Sequence, residues 1–459
     1  MKNIHILAIP YPAQGHVMPL MEATRCFTSN GLKVTFVNTE FIHKRLMSAC
    51  LEIDCPSDLM QLVSIPDGME PCDDRNDLGK LTKAMFQLMP TKLEELINDI
   101  NKNDDEKITC IIADCYMGWV LRVARKMSIR LALFCPSSAA VLAVSMSLQK
   151  LMDDEVINDR SGEILKHQMI QLSTSMPLMD PANFVWACMG DPVANQIIFD
   201  YLFLEGKDAA EAADHIICNS SMELEPGAFT LFPKMLPIGP LLATNNATRQ
   251  VGHLWKEDST CLTWLNQQPV CSVIYVAFGS ITIFDQLQFE ELALGLEDTK
   301  MPFLWVVRPG PSGNMDYVYP SGYLDRIGSR GKILSWAPQQ EVLNHPSVDC
   351  FMSHCGWNST MEGVSNGVPF VCWPSFADQF FNKTYICDIW KTGVGLNKDE
   401  TGIVTRGEIK SKVEQLVNND IHKANALNLK EKLTDCLREG NSSNKNLNKF
   451  IDWLKDEHV

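Results

Sequence analysis

The stretch 336–379, WAPQQEVLNHPSVDCFMSHCGWNSTMEGVSNGVPFVCWPSFADQ, limits the fold more tightly than any other part of this chain. Trp336 ends one apolar run, a short helix is expected from near Pro338 to His345, and residues 348–353 form a second apolar run. A glycine-containing turn follows, then a helix from about Trp357, then a third run at 368–373 that leads into Asp378 and Gln379. Short continuous apolar runs suit strands covered on both faces. Strands joined through helices run parallel, and such sheets bind ligands beyond the carboxyl ends of their strands.

The turn before the second helix carries chemistry as well as shape. His354, Gly356, Asn358 and Ser359 cluster where the helix starts. Unpaired backbone N–H groups and the positive end of the helix dipole favour a phosphate at such a place. Gly356 permits a close backbone approach, while Asn358 and Ser359 could cap the helix or donate to an oxygen. Glu362 stands one turn further along the same face, where a carboxylate repels phosphate but suits the hydroxyls of a ribose. Trp336 offers a flat face to a base. Base, ribose, diphosphate and sugar could follow one another along one cleft.

Composition narrows the partners. At 459 residues the chain exceeds one ordinary core and two domains are expected; 46% hydrophobic and 21% charged residues describe a soluble globular protein. A net charge of −16 argues against nucleic acid or anionic membrane as a main partner. The sixteen cysteines form no CxxC pair and lie scattered through apolar runs, which favours a reduced, cytoplasmic protein. A zinc site at Cys350, His354 and Cys355 would lack a second ligand pair of suitable spacing. The N-terminal apolar run is too short for a signal peptide, and no run is long enough to span a membrane. Nothing demands an oligomer, and a monomer is expected.

The first half opens with a buried strand at 4–9, the loop YPAQGH, a helix over about 17–27 and a strand at 32–37. GxGxxG and GxxxxGK[ST] are both absent. His16 therefore sits in a strand-to-helix loop on the ligand edge; taken alone, it reads as a polar residue near a helix start. Residues 80–100 have helical spacing, with Pro90 as an interruption. The strand 109–113 ends at Asp114, which could cap a following helix or hold one imidazole nitrogen of His16 and stabilise the imidazolium. After the strand 131–135, Ser137 and Ser138 could cap a helix or touch a sugar. Residues 150–200 are irregular, and 238–258 exchange apolar periodicity for Gly, Pro, Asn and Thr, which marks a linker. The strand 272–278 ends in Gly279 and Ser280, a glycine then a hydroxyl at a ligand edge. Past Gln379 a helix should run to about Trp390 and break at Gly393 and Gly395, with two more helices closing the chain.

The unbroken 336–379 stretch resembles the donor-binding signature of plant family-1 UDP-glycosyltransferases, and PYPAQGHVMP resembles their N-terminal segment. The resemblance implies an α/β fold of GT-B type: two facing Rossmann-like domains with parallel sheets and a cleft between them. It divides the chain into an acceptor-binding domain at 1–240, a linker at 241–255, a UDP-sugar-binding domain at 256–435, and a terminal helix at 436–459 packing back on the first domain. It implies that Trp336 stacks on uracil, that Ala337 and Gln339 help hold the nucleoside, and that Glu362 takes the ribose hydroxyls. His354, Asn358, Ser359 and Ser280 then take the diphosphate, while Trp357, Asp378 and Gln379 hold the sugar, with Ser137 a possible further sugar contact. The closing Gln379 points to UDP-glucose. His16 becomes the general base, supported by Asp114. Gly15, Met85, Phe184, Phe376 and Ala377 are candidate acceptor contacts, the loosest part of the resemblance being 150–200.

The implied reaction is inverting transfer of glucose from UDP-glucose to a hydroxyl of a small lipophilic acceptor, a phenol, flavonoid or stilbene, giving a β-O-glucoside. No cofactor or metal is needed, and no DxD triplet is evident. Glucose-ester formation and terpenoid acceptors are alternatives within the same family. A UDP-sugar-binding protein without transfer activity would have no use for His16 and Asp114 together, and an α/β hydrolase would need the absent GxSxG.

Overall fold

A computed structural model describes residues 4–49, 58–242, 255, 257–308 and 317–456. The chain divides into two compact units. The first comprises Met1–Trp255, Phe376–Asp378 and Asp435–Val459; the second comprises Lys256–Ser375 and Gln379–Thr434. Most of the expected linker, residues 243–254, lies outside the described residues.

The first unit is built on a seven-stranded sheet in the order β3-β2-β1-β4-β5-β6-β7. Its strands are β1 (His5–Ile9), β2 (Lys33–Thr39), β3 (Met60–Ile65), β4 (Cys110–Asp114), β5 (Arg130–Cys135), β6 (His215–Cys218) and β7 (Met235–Pro237). The second unit carries six strands in the order β10-β9-β8-β11-β12-β13. These are β8 (Val273–Ala277), β9 (Phe303–Val306), β10 (Gly331–Leu334), β11 (Val348–Ser353), β12 (Phe370–Cys372) and β13 (Gly393–Gly395). Every pairing in both sheets is parallel. Strands β1, β4, β8 and β11 are buried along their whole length, which is why each reads as an apolar run.

Strand order reverses direction once in each sheet, between β1 and β4 in the first and between β8 and β11 in the second. Connections leave such a pair on opposite faces, so their carboxyl ends open a crevice that no crossover fills. His16 follows β1 and Asp114 ends β4; Gly279 follows β8 and His354 follows β11.

The first core joins Ile6, Ala8, Val34, Phe36 and Ile112 to Phe450, Ile451 and Leu454 of the last helix, Ser442–Lys455. The Arg130 guanidinium donates to the carbonyls of Trp453 (3.0 Å) and Leu454 (2.9 Å) and lies over the Trp453 ring. A cation thereby meets the negative end of that helix where its carbonyls lack intrahelical partners.

Four expectations need correction. The helix after β1 spans Gln14–Ser29, so His16 lies in its first turn rather than in a loop. The N-cap, Ala13, makes no side-chain cap bond, and without a capping residue the start left no mark in the sequence. Pro90 does not interrupt its helix: Leu78–Ile100 is continuous, held by buried Met85, Phe86, Met89 and Leu93 on both sides of the proline. Residues Gly393–Gly395 form β13 rather than a break, because β12 supplies their backbone partners. Three helices, not two, then close the chain: Arg406–Val417, Asp420–Cys436 and Ser442–Lys455.

Candidate active site

Strand register brings together two residues 98 positions apart at the first unit's switch point. Ile9 pairs with Ala113, which sets Asp114 beside the exit of β1. Asp114 Oδ2 lies 2.8 Å from His16 Nδ1. The carboxylate only accepts, so Nδ1 carries the proton and Nε2 is left as the basic nitrogen. The other oxygen, Oδ1, accepts from the Tyr116 N–H at 3.0 Å, which fixes the carboxylate plane. Asp114 is fully buried, whereas the His16 side chain keeps 24% exposure. Burial is the largest influence on the imidazole and favours its neutral form, but the charge and hydrogen bond of Asp114, aided by Asp378, prevail and raise the pKa.

Two tyrosines flank this ring. Tyr11 stands 5.2 Å from it and bonds Thr82 Oγ1 at 3.0 Å. Tyr116 meets it edge-on at 5.6 Å and bonds Ser137 Oγ at 3.0 Å. Ser138 caps helix Ala139–Met146 through the Val141 N–H. Glu225, fully buried, accepts from the Ala139 and Ala140 N–H groups (2.8 and 2.9 Å) and from Ser220 Oγ (2.6 Å). Burial pushes its carboxyl up to about 7 against those three bonds.

Of the candidate acceptor contacts, Gly15 lies beside His16 in the first helical turn and Met85 is fully buried on helix Leu78–Ile100. Phe184 is fully buried and packs on Trp186 at 4.8 Å; Trp186 meets Phe203 at 4.7 Å, and Phe203 meets Tyr116 at 5.9 Å. A continuous run of rings thus leads from Phe184 to the neighbour of His16. Phe376, Ala377 and Asp378 group with the first unit, and the Ala377 carbonyl lies 3.8 Å from Cys188 Sγ.

In the second unit, the backbone carbonyl of half-buried Trp336 accepts from the Asp258 N–H, and Ala337 is buried. Gln339 gathers three side chains. Its Oε1 accepts from Tyr275 at 3.0 Å, and its Nε2 donates to Ser359 Oγ at 2.8 Å and to Glu362 Oε2. Helix Trp357–Asn366 starts from Gly356, which has no side chain to cap it. A Cβ on Gly356 would fall 2.5 Å from His354 Nε2, and one on Gly279 would fall 2.6 Å from the same atom. Two glycines from two strand ends thus clamp one imidazole, and Gly279 also holds φ at +69°. Burial pushes His354 down to about 4, with Arg308 acting in the same direction. Trp357 is buried, 6.4 Å from the Trp390 ring, and Gln379 Oε1 accepts from the Ser375 N–H at 2.8 Å. The Ser280 carbonyl accepts from Arg308.

The structure thus brings His16 to Asp114, Gln339 to Ser359 and Glu362, and His354 to the start of helix Trp357–Asn366. Tyr11, Tyr116, Tyr275, Glu225 and Arg308 escaped sequence reasoning. Only Arg308 carried a signal there, as a charge closing the apolar run FLWVV.

The family profile described as UDP-glucoronosyl and UDP-glucosyl transferase matches residues 155–435, more than half of the chain. The chain belongs to the plant family-1 UDP-glycosyltransferases. This UDP-glycosyltransferase is 42% identical to UDP-glycosyltransferase 83A1 of Arabidopsis thaliana, over 99% of this chain and 97% of the relative. It is 33% identical to the 7-deoxyloganetin glucosyltransferase of Catharanthus roseus, over 99% and 97%. Phytolacca americana UGT2, solved with UDP-2-fluoro-glucose and pterostilbene, superposes with a TM-score of 0.80 at 26% identity, over 99% of each chain. The fold of the UDP-glycosyltransferase is accordingly of GT-B type, with a Rossmann-like parallel sheet in each unit. Among the described residues, no helix is long and apolar enough to cross a membrane, and no group of three or more His, Cys, Asp or Glu is placed to hold a metal ion.

Proposed function

We propose that this UDP-glycosyltransferase moves glucose from UDP-glucose to a hydroxyl of a small lipophilic acceptor with inversion, giving a β-O-glucoside. The observation that carries the reading is the His16–Asp114 pair at 2.8 Å, with Nδ1 tied to a buried carboxylate and Nε2 basic. Nε2 takes the acceptor proton as the oxygen attacks the anomeric carbon from the face opposite UDP. Asp114 stabilises the imidazolium that forms.

The second unit holds the donor in this reading. Trp336 and Ala337 take the base, and Gln339 and Glu362 take the ribose. Ser280, His354, Asn358 and Ser359 meet the diphosphate, and Trp357, Asp378 and Gln379 meet the sugar. Charge developing on the leaving diphosphate is stabilised by the amides at the start of helix Trp357–Asn366, whose N-cap residue Gly356 presents no side chain there. His354, held neutral by burial, serves as a hydrogen-bonding partner rather than as a cation. No metal is invoked.

Phenols, flavonoids and stilbenes are the favoured acceptors, supported by the run of rings from Phe184 to Tyr116 and by the pterostilbene bound to the Phytolacca americana relative. Terpenoid alcohols are the second class, favoured by the Catharanthus roseus relative. The free state of every described cysteine suits a reducing cytosol. The test is UDP release from UDP-glucose across phenols, flavonoids, stilbenes, terpenoid alcohols and carboxylic acids, with a His16→Ala variant alongside. Acceptor-dependent release that disappears in the variant, with UDP-glucose binding retained, is the expected result. Release that survives the loss of His16 would sink the assigned base.

A further inference from the structure

We propose that Arg308 is the positioning residue of the diphosphate end of the donor site: its guanidinium sets the loop 280–282 and places a fixed positive charge beside it. The proposal rests on the reading of the second unit as the donor site, and it concerns a residue outside both the 336–379 stretch and the loop it holds.

Arg308 follows β9, the neighbour of β8, and reaches across to the loop that leaves β8. Nη1 donates to the Ser280 carbonyl at 2.5 Å and Nη2 to the Thr282 carbonyl at 2.7 Å. A planar fork spanning two carbonyls two residues apart fixes both their spacing and their orientation, which a single ammonium cannot do. On its other side the loop is braced at Gly279, whose left-handed backbone lies against the His354 ring. The loop carrying the Ser280 hydroxyl is thus held from two sides. Thr282 Oγ1, within the held segment, is buried without a hydrogen-bond partner, as a hydroxyl reserved for a ligand would be.

Charge points the same way. Arg308 is close enough to His354 to help depress its pKa, so the two face one region. His354 is neutral there, and the guanidinium, which stays protonated, supplies the positive field that a leaving diphosphate requires.

The experiment compares UDP with uridine by titration calorimetry on the full chain, native and Arg308→Gln, with thermal melting as a check of folding. Uridine reads the base and ribose contacts; UDP adds the diphosphate. The expected result is a UDP affinity lowered by about tenfold or more, with uridine affinity changed by less than about twofold. Equal loss for both ligands, or no loss for either, would overturn the proposal. If the Gln variant does not fold, Arg308→Lys carries the same comparison, since it keeps the charge and loses the fork. A UDP-to-uridine ratio lowered by about threefold is then expected, and an unchanged ratio overturns the positioning role. Native protein that binds neither ligand would overturn the donor-site reading itself and the proposal with it.

Discussion

At the switch point of the first sheet stands His16, where burial favours the neutral ring but Asp114 prevails and raises the pKa. At that of the second stands His354, pushed by burial down to about 4. Both residues sit beyond the carboxyl end of a parallel strand, and both are half-buried. The difference lies in what faces each ring. A buried carboxylate meets His16, whereas two glycines clamp His354 with Arg308 nearby. One topology thus makes a group that can gain and keep a proton and another that stays neutral. In the proposed reaction the first accepts a proton and the second sits beside a diphosphate without titrating.

The largest expected effect breaks the first half of this comparison. His16→Ala should lower turnover by about 10²–10⁴-fold while leaving UDP-glucose affinity in calorimetry unchanged. A parallel loss of donor affinity would show that the two switch points do not divide the work.

Asp114→Asn comes next and sharpens the comparison through pH. Turnover of the native enzyme should rise with pH through an inflection above the ordinary histidine value of about 6.5, because only neutral His16 accepts a proton. Removing the Asp114 charge should move that inflection down by about 1–3 pH units. UDP-glucose affinity should stay flat between about pH 6 and 8, since a ring at about 4 does not titrate there. The raised His16 pKa also sets a stability sign. The His16–Asp114 contribution is fully present below the unfolded histidine value and is lost as pH rises through the folded one.

Gly279→Ala tests the second switch point alone. Its Cβ would meet His354 Nε2 at 2.6 Å in a left-handed backbone, at a cost of about 1–3 kcal/mol. UDP-glucose binding should weaken by up to about tenfold with the pH inflection of turnover unmoved. A shifted inflection would mean that the two histidines are coupled.

Glu225→Gln gives the smallest change, about 1 kcal/mol in chemical denaturation. With its folded pKa raised to about 7, native Glu225 contributes stability at low pH that is lost as pH rises from the unfolded value toward 7. The Gln variant should lose that slope. An identical pH profile in both proteins would remove Glu225 from the account of how residues 137–140 are held.

Much of this architecture is written locally. β8 and β11 are legible because a strand covered on both faces must be apolar throughout, and the placement of His16 and His354 just past strand ends follows from the same runs. The continuity of helix Leu78–Ile100 through Pro90 and the strand β13 were not legible, because packing around Pro90 and the partner strand β12 outweigh the local preferences of proline and glycine.

The sequence by itself determined two parallel sheets and which side chains reach their ligand edges, since burial on both faces and turn chemistry are local demands on residue type. Only the tertiary structure decided which of those side chains meet. Strand order puts β4 beside β1 and so sets Asp114 Oδ2 against His16 Nδ1; it puts β11 beside β8 and so closes Gly279 on His354. It also carries Arg308 to the carbonyls of Ser280 and Thr282 and Glu225 to the start of helix Ala139–Met146. These partners are separated by 26 to 98 residues along the chain, and no local propensity encodes a contact over that span.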